Sequence, residues 1–65
     1  MTNITFDKEA NAGYLSFSDN NVSKTIALNN KIICDLDETG MIVGIEFIGI
    51  KKDDFSKNIS NLTFK

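Results

Sequence analysis

The chain has 65 residues, which is enough for one small domain with a modest core. Its single cysteine cannot form a disulfide within the chain, and without histidine or a second thiol the sequence offers no zinc ligand set. The net charge of −2, the pI near 4.8 and the absence of arginine argue against a protein that binds the phosphate backbone of nucleic acids.

Segments of alternating apolar and polar residues before position 50 predict β-strands, because such alternation gives a strand one apolar face. Clusters of turn-forming residues separate them. Connections this short join strands antiparallel, so we expect a meander in which each strand pairs with the next. In chain order, the alternation is carried by Ile4 and Phe6, by Leu15 and Phe17, by Val22, Ile26 and Leu28, by Ile32, Cys34 and Leu36, and by Val43, Ile45 and Phe47.

The turns between the later strands have recognisable sequences. Asn29-Asn30 suits a two-residue hairpin loop, because asparagine adopts positive φ at little cost. The segment Asp37 to Gly40 fits a type I turn that is closed by a left-handed glycine. The apolar run from Lys31 to Ile50 that contains this turn predicts the buried frame of the sheet.

After residue 51 the spacing of the apolar residues changes from that of a strand to that of a helix. Phe55, Ile59 and Leu62 are spaced as i, i+4 and i+7, which is the spacing of one helical face. Asp53 or Asp54 would cap the start of such a helix and favour its positive end. The polar residues of the segment are poor helix formers, so a frayed or strand-like tail is the alternative.

The predicted fold is mainly β: one domain over residues 1–65, with a single antiparallel β-meander of four to five strands. The sheet takes about residues 3–50, and a short C-terminal helix or tail at about 52–64 packs on it.

Four blocks follow one another at short intervals: Ile4–Asp7, Glu9–Ser18, Asp35–Gly40 and Ile42–Glu46. In this order and spacing, the stretch from Ile4 to about Ile50 resembles the small bacterial domain-of-unknown-function family 2283. The resemblance implies a small β-meander, often with a C-terminal helix, and no established catalytic activity. It also implies that some members are the smaller partner in toxin–antitoxin-type gene pairs.

Two positions depart from the pattern of that family. Asn11 stands where an acidic residue is usual, and Gly13 stands where a bulky apolar residue is usual. Since we place both on the second strand, we expect this chain to pair or pack differently there.

The densest carboxylate group is Asp35, Asp37 and Glu38. A D-x-D pair can hold Mg²⁺ or Ca²⁺, but the further oxygen ligands of a calcium loop are missing. We favour a strand end that runs into a solvated turn, with the side chain of Asp37 capping it. No metal or cofactor is therefore expected.

Glu46 is the only charged residue between Met41 and Ile50. It could face Asp35 as an acid–base pair, but we favour exposure to solvent or an ion pair with Lys24 or Lys31. Cys34 has no basic neighbour to activate it, so we expect a core residue. For Tyr14, an exposed interaction role and a role in sheet packing stay equally open.

The apolar stripe Phe55, Ile59, Leu62 and Phe64 would either cover the sheet or remain as a binding surface. We predict a non-enzymatic protein-interaction module that acts as a homodimer, or as an antitoxin-like or regulatory partner, through a sheet edge and the C-terminal segment. The alternative is a phage-type acidic inhibitor that blocks a basic nucleic-acid-binding surface of a bacterial defence complex. The candidate contact residues are Tyr14, Asp35, Asp37, Glu38, Glu46, Phe55, Ile59 and Leu62.

We expect no direct binding to nucleic acid or to a membrane. The N-terminus lacks the pattern of a signal peptide, and no apolar run approaches the length of about 20 residues that crosses a bilayer. The expected location is the cytoplasm.

Overall fold

A computed structural model describes residues 3–63, with side chains described as far as residue 57. The strands form one five-stranded antiparallel sheet, and α1 follows them, so the predicted mainly β class with a C-terminal helix is confirmed. Among the described residues, no helix is long and apolar enough to span a membrane. The elements are β1 (Asn3–Asp7), β2 (Ala12–Ser16), β3 (Lys24–Ala27), β4 (Ile32–Leu36), β5 (Ile42–Ile48) and α1 (Lys52–Thr63).

The strand order is β1-β2-β5-β4-β3, which departs from a simple meander at one step. The prediction that each strand pairs with the next is wrong for β2, because β2 pairs with β5 in a register that sets Leu15 opposite Ile45. With seven residues, β5 is the longest strand, and it carries a single charge. An apolar strand of this kind is best covered at the centre of the sheet. The consequence is that β1 and β3 are the two edges.

The core lies between the sheet and α1. Phe55 is 2% exposed, and its ring centroid lies 5.5 Å from those of both Phe6 and Phe47. Leu15 and Ile50 complete this cluster. Tilted and edge-on aromatic pairs of this kind add to the free energy gained from burying the rings. Phe55 therefore anchors the helix to the sheet.

The first turn of α1 differs from the prediction in one detail. The carbonyl of Lys51 accepts the N–H of Phe55 at 2.9 Å, so the helix starts directly after Lys51. Asp53 and Asp54 therefore lie within the first turn and are not the cap. Their charges still favour the positive end of the helix dipole.

The two departures from the family pattern both have a structural reason. Asn11 precedes β2 and has a φ of 51°, a left-handed conformation that asparagine tolerates better than most residues. Gly13 lies under the ring of Phe55, where a Cβ would fall 2.6 Å from Cδ1 and closer still to Cε1 and Cζ. A bulky residue at position 13 would displace the helix anchor.

The two predicted hairpin turns have different outcomes. Gly40 has a φ of 89°, as the Asp37–Gly40 turn predicts. Asn29-Asn30 does not form the predicted two-residue loop, because Asn11 is the only non-glycine residue with positive φ in the described chain. Instead, Oδ1 of Asn29 accepts the N–H groups of Lys31 and Ile32 at 2.7 and 2.9 Å. This side-chain acceptor takes the place of the tighter backbone turn.

Candidate interaction surfaces

The face of the sheet opposite α1, which we call the open face, carries a row of functional candidates. Side chains alternate between the faces of a strand, so the residues next to Gly13, Phe47 and Ile32 point away from the helix. In this row Tyr14 lies opposite Glu46, and Glu46 lies opposite Ile33 on the next strand. All are half-buried, so the open face combines charge with apolar surface.

Tyr14 reaches across β5 to Asp35. Its hydroxyl donates a hydrogen bond to Oδ2 of Asp35 at 2.8 Å, and the hydroxyl of Thr25 donates to Oδ1 at 2.9 Å. Gly44 makes this possible, since a Cβ there would fall 2.8 Å from Cε2 of Tyr14 and closer still to the hydroxyl. The network ties β2, β4 and β3 together across the centre of the sheet.

The Tyr14 hydroxyl is held in its neutral form. Burial raises the pKa of Tyr14 to about 12, and the hydrogen bond to Asp35 and the charges of Asp35 and Glu46 add to the effect. A neutral phenol with its proton committed to Asp35 is a poor general base at neutral pH. The hydrogen bond to Asp35 and the half-buried ring give Tyr14 a packing role within the sheet, and its interaction role stays a prediction.

For Glu46 we favoured exposure to solvent or an ion pair with Lys24 or Lys31, and the structure places its half-buried side chain on the open face. In residues 3–57, neither Lys24 nor Lys31 pairs with it, since no ion pair of Glu46 is found there. Lys24 lies opposite Leu36 on β4, which places it on the face of the sheet that packs against α1, away from Glu46. Both carboxylate oxygens of Asp35 accept hydrogen bonds, from Tyr14 and from Thr25.

Asp37 is a structural anchor of the β4–β5 turn. Its Oδ1 accepts the N–H groups of Thr39 and Met41 at 2.9 and 3.0 Å and the hydroxyl of Thr39 at 2.6 Å. Its Oδ2 accepts the side-chain amide of Asn20 at 2.9 Å. These hydrogen bonds, first from Thr39 and then from Asn20, lower the pKa of Asp37 to about 2. The side-chain capping that the turn sequence predicts is confirmed.

The carboxylates of the D-x-D pair have different surroundings. Asp35 lies on the open face, whereas Asp37 lies in the turn with Glu38 exposed beside it. Among the described residues, no three metal-ligating side chains come together. Asp37 and Glu38 line a groove of about 540 Å³ with Asp19, which we call the acidic groove.

The predicted C-terminal contact residues have separate outcomes. Phe55 is a core residue, not an exposed contact, because its ring is enclosed between Phe6 and Phe47. This burial supports the interpretation that the helix covers the sheet. The side chains of Ile59 and Leu62, and the whole of Phe64, lie outside the described residues.

The edge strand β3 is a surface that the residue-level predictions did not include. All four of its residues are exposed. Apolar side chains of this segment are also exposed: Val22 to 49%, Ile26 to 37% and Leu28 to 63%. The alternation of these apolar residues is visible in the sequence. Their exposure is not, because it depends on the strand order, which places β3 at the edge of the sheet.

A second groove lies at the opposite end of the sheet. It has a volume of about 600 Å³ and is lined by Lys31, Lys51 and Lys57, with Phe47 and Asp54 among the other lining residues. We call it the basic groove. Lys31 directly precedes β4, so this groove adjoins the β3–β4 turn, whereas the acidic groove adjoins the start of β3.

A comparison with known protein families gives a match over most of the chain. The family model described as "Protein of unknown function (DUF2283)" matches residues 3–51. That region contains all five strands and ends before the first residue of α1. No curated protein and no solved structure matches the chain significantly.

Proposed function

Because the chain belongs to the DUF2283 family of proteins of unknown function, with the match spanning the whole sheet, we propose a role for the sheet itself. The protein is a non-enzymatic interaction module that binds another protein chain along the edge of β3. That chain is either a second copy of the same protein or a different protein, in whose complex this one would serve as the small antitoxin-like or regulatory partner. The observation that carries this proposal is the exposed apolar edge of β3.

The backbone of β3 supports strand addition. An edge strand presents unpaired N–H and C=O groups, and a peptide that adds a strand there gains a full ladder of hydrogen bonds. Natural edges are usually blunted by charge, by proline or by a covering segment. In β3 the only charged residue is Lys24, at its first position, and the chain has no proline.

The side chains beside the edge supply apolar surface. Ile26 lies opposite Cys34, which places it on the same face as the core. Leu28 follows by alternation on that face, beyond the end of the strand. Exposed apolar side chains that adjoin one another mark interaction sites more often than isolated ones do. A docked strand would extend the sheet and cover Ile26 and Leu28 together.

The open face argues against catalysis. A reactive acid or base needs an available proton or lone pair and a suitable pKa. Tyr14 is neutral and donates to Asp35, while both oxygens of Asp35 accept hydrogen bonds from within the sheet. These groups fit a structural network that holds the strands in register.

A matched pair of substitutions tests the proposal. Ile26→Lys places a charge at the β3 edge, and Ile4→Lys does the same at the β1 edge, where Ile4 is 49% exposed against 37% for Ile26. Both tagged variants should fold, as judged by circular dichroism. We expect Ile26→Lys to weaken binding of proteins captured by the wild-type chain by about tenfold or more, since it removes an apolar contact worth about 1.5 kcal/mol or more.

The Ile4→Lys variant should capture the same proteins as the wild-type chain. If both variants capture them equally well, the β3 edge is not the contact surface. If both variants lose the captured proteins equally, the loss of binding comes from the added charge or from reduced stability, and the proposal fails as well.

The acidic groove favours a second candidate function, inhibition of a basic nucleic-acid-binding surface. Asp19, Asp37 and Glu38 line this groove, and no lysine does. Asp37 is engaged by its own turn, so Asp19 and Glu38 would contact the target. An inhibitor of this kind should lose affinity steeply with salt, and Asp19→Asn with Glu38→Gln should abolish binding without unfolding the chain. Binding that is insensitive to both changes would exclude it.

A further inference from the structure

Resting on the proposed interaction role of β3, we infer that the chain docked on this edge is a second copy of the same protein. The two β3 strands pair antiparallel about a two-fold axis that passes beside Ile26. The two sheets join into one continuous sheet. This arrangement follows from three properties of the edge: its backbone groups, its side chains and the charges at its two ends.

The backbone determines which groups are available at the edge. Leu28 donates its N–H to the carbonyl of Ile32 at 2.8 Å, and Ile26 lies opposite Cys34 in the same ladder. Residues of an antiparallel ladder alternate in direction, so Ile26 and Leu28 point their backbone groups toward β4. The N–H and C=O groups of Thr25 and Ala27 therefore point away from the sheet.

These outward groups select one register. With the axis beside Ile26, Thr25 of one copy exchanges both backbone hydrogen bonds with Ala27 of the second copy, and the same pair recurs across the axis. An axis beside Thr25 would need the N–H of Ser23, which already donates to the carbonyl of Leu36 at 2.8 Å. An axis beside Ala27 would need Asn29, which lies outside the strand and directs its N–H to Ile32.

The side chains are self-complementary in this register. Directly opposite residues of an antiparallel pair lie on the same face, and those between hydrogen-bonded pairs approach most closely. Ile26 thus meets Ile26 of the second copy, on the apolar face. Lys24 meets Leu28 of the second copy, so its aliphatic stem covers an exposed leucine and the two lysines do not face each other.

The charges at the two ends of β3 are also complementary. The acidic groove, with Asp19 and Glu38, adjoins the start of the strand, and Lys31 of the basic groove follows its end. Antiparallel pairing sets the start of one β3 beside the end of the other. The acidic groove of each copy then lies next to Lys31 of the second copy, and this contact occurs twice. Such complementarity fixes orientation and register.

Cysteine trapping tests the register. Ile26→Cys, Thr25→Cys and Ala27→Cys each place one new thiol on the edge, and Ile4→Cys places one on the opposite edge of the sheet. The native Cys34 is buried, so the wild-type chain is the control without an accessible thiol. We expect Ile26→Cys to form a disulfide-linked dimer about tenfold faster than Ile4→Cys under mild oxidation, because only paired Cβ atoms reach disulfide distance.

Thr25→Cys and Ala27→Cys should cross-link slowly, since each faces the other residue and not itself. The inference is overturned if Ile26→Cys cross-links no faster than Ile4→Cys. Fastest cross-linking by Thr25→Cys or Ala27→Cys would overturn the register. Sedimentation equilibrium should show a wild-type dimer that Ile26→Lys dissociates and Ile4→Lys leaves intact, and a strict monomer at high concentration would contradict the pairing.

The outcomes separate this inference from the proposed function. If the chain is monomeric and Ile26→Cys does not cross-link, but Ile26→Lys still loses a captured protein, then β3 binds a different chain and the self-pairing is wrong. If Ile26→Lys changes neither the oligomeric state nor the captured proteins, both are wrong.

Discussion

The contact between Gly13 and Phe55 gives the sharpest prediction about the fold. A Cβ at position 13 would overlap the ring of Phe55, and that ring has little room to move because Phe6 and Phe47 flank it at 5.5 Å. Gly13→Ala should therefore push α1 off the sheet or force the ring out of its favoured rotamer. Nothing comparable to this clash exists in the unfolded chain.

The magnitude follows from the size of the protein. Overpacking of a well-filled core costs about 1–3 kcal/mol, while the reduced freedom of alanine in the unfolded chain offsets about 0.4–1 kcal/mol of that cost. A net loss of roughly 1–2 kcal/mol is large for a 65-residue chain, whose stability is on the order of 3–10 kcal/mol. The melting temperature should fall by roughly 5–15 °C.

A double-mutant cycle isolates the contact. Phe55→Leu removes most of the ring atoms that a Cβ at Gly13 would meet, so Gly13→Ala should cost much less in that background. We expect a coupling energy of about 1 kcal/mol or more, measured by urea unfolding of the four proteins. Additive effects, or a Gly13→Ala protein as stable as the wild type, would refute the reasoning.

Titration and turn substitutions supply the remaining predictions. The chain has one tyrosine and no tryptophan, so ultraviolet absorbance should report a pKa of about 12 for Tyr14, and Asp35→Asn should lower it. Because this pKa is raised from 10.0, the folded chain binds the proton more tightly, and stability should fall as the pH rises from 10 to 12. A midpoint near 10 in the folded wild type would contradict the buried network. The pKa of Asp37 is lowered from 3.8 to about 2, so its stabilising effect is present above pH 3.8 and is lost as the pH falls toward 2. In thermal melts, Asp37→Asn should make stability depend less on acid pH, whereas the exposed Glu38→Gln should leave that dependence unchanged. If Asp37→Asn and the wild type lose stability equally as the pH falls, Asp37 is not the group responsible. Gly40→Ala should cost about 1–2 kcal/mol in urea unfolding, because φ is 89° there and no atom lies within 4 Å of the new Cβ, so an unchanged midpoint would exclude backbone strain.

Features that depend on neighbouring residues were predictable from the sequence. The Asp37–Gly40 turn needs an oxygen acceptor and a left-handed residue within four positions, and both are visible there. The spacing that predicted α1 is equally local, and Phe55 does face the sheet. The mainly β class follows from the same local alternation.

Features that depend on distant residues were not predictable. The pairing of β2 with β5 is a competition between whole strands, which local alternation does not decide. The turn at Asn29 is a local exception: its composition suits a two-residue loop, but its side chain accepts the N–H groups of Lys31 and Ile32 instead. Gly13 stood out in the sequence as a departure from the family pattern. The need for glycine there comes from Phe55, which is 42 positions away in the chain.

The candidate site was predictable in part. The open face brings together Tyr14, Asp35 and Glu46. The sequence did not indicate that Tyr14 and Thr25 donate hydrogen bonds to Asp35. Asn20 gave no signal of its contact with Asp37, because it lies in a different loop. The sequence did not show that β3 is an edge strand. This follows only from the strand order, in which β3 has a neighbouring strand on one side.

Amide hydrogen exchange at β3 tests the central claim most directly. The outward N–H groups of Thr25 and Ala27 should exchange fast in dilute protein and become protected when the edge is occupied, by a second copy at high concentration or by a captured partner. The amides of β1 should exchange at the same rate throughout. Thr25 and Ala27 amides that stay fast under binding conditions, while protection rises elsewhere on the protein, would contradict the account.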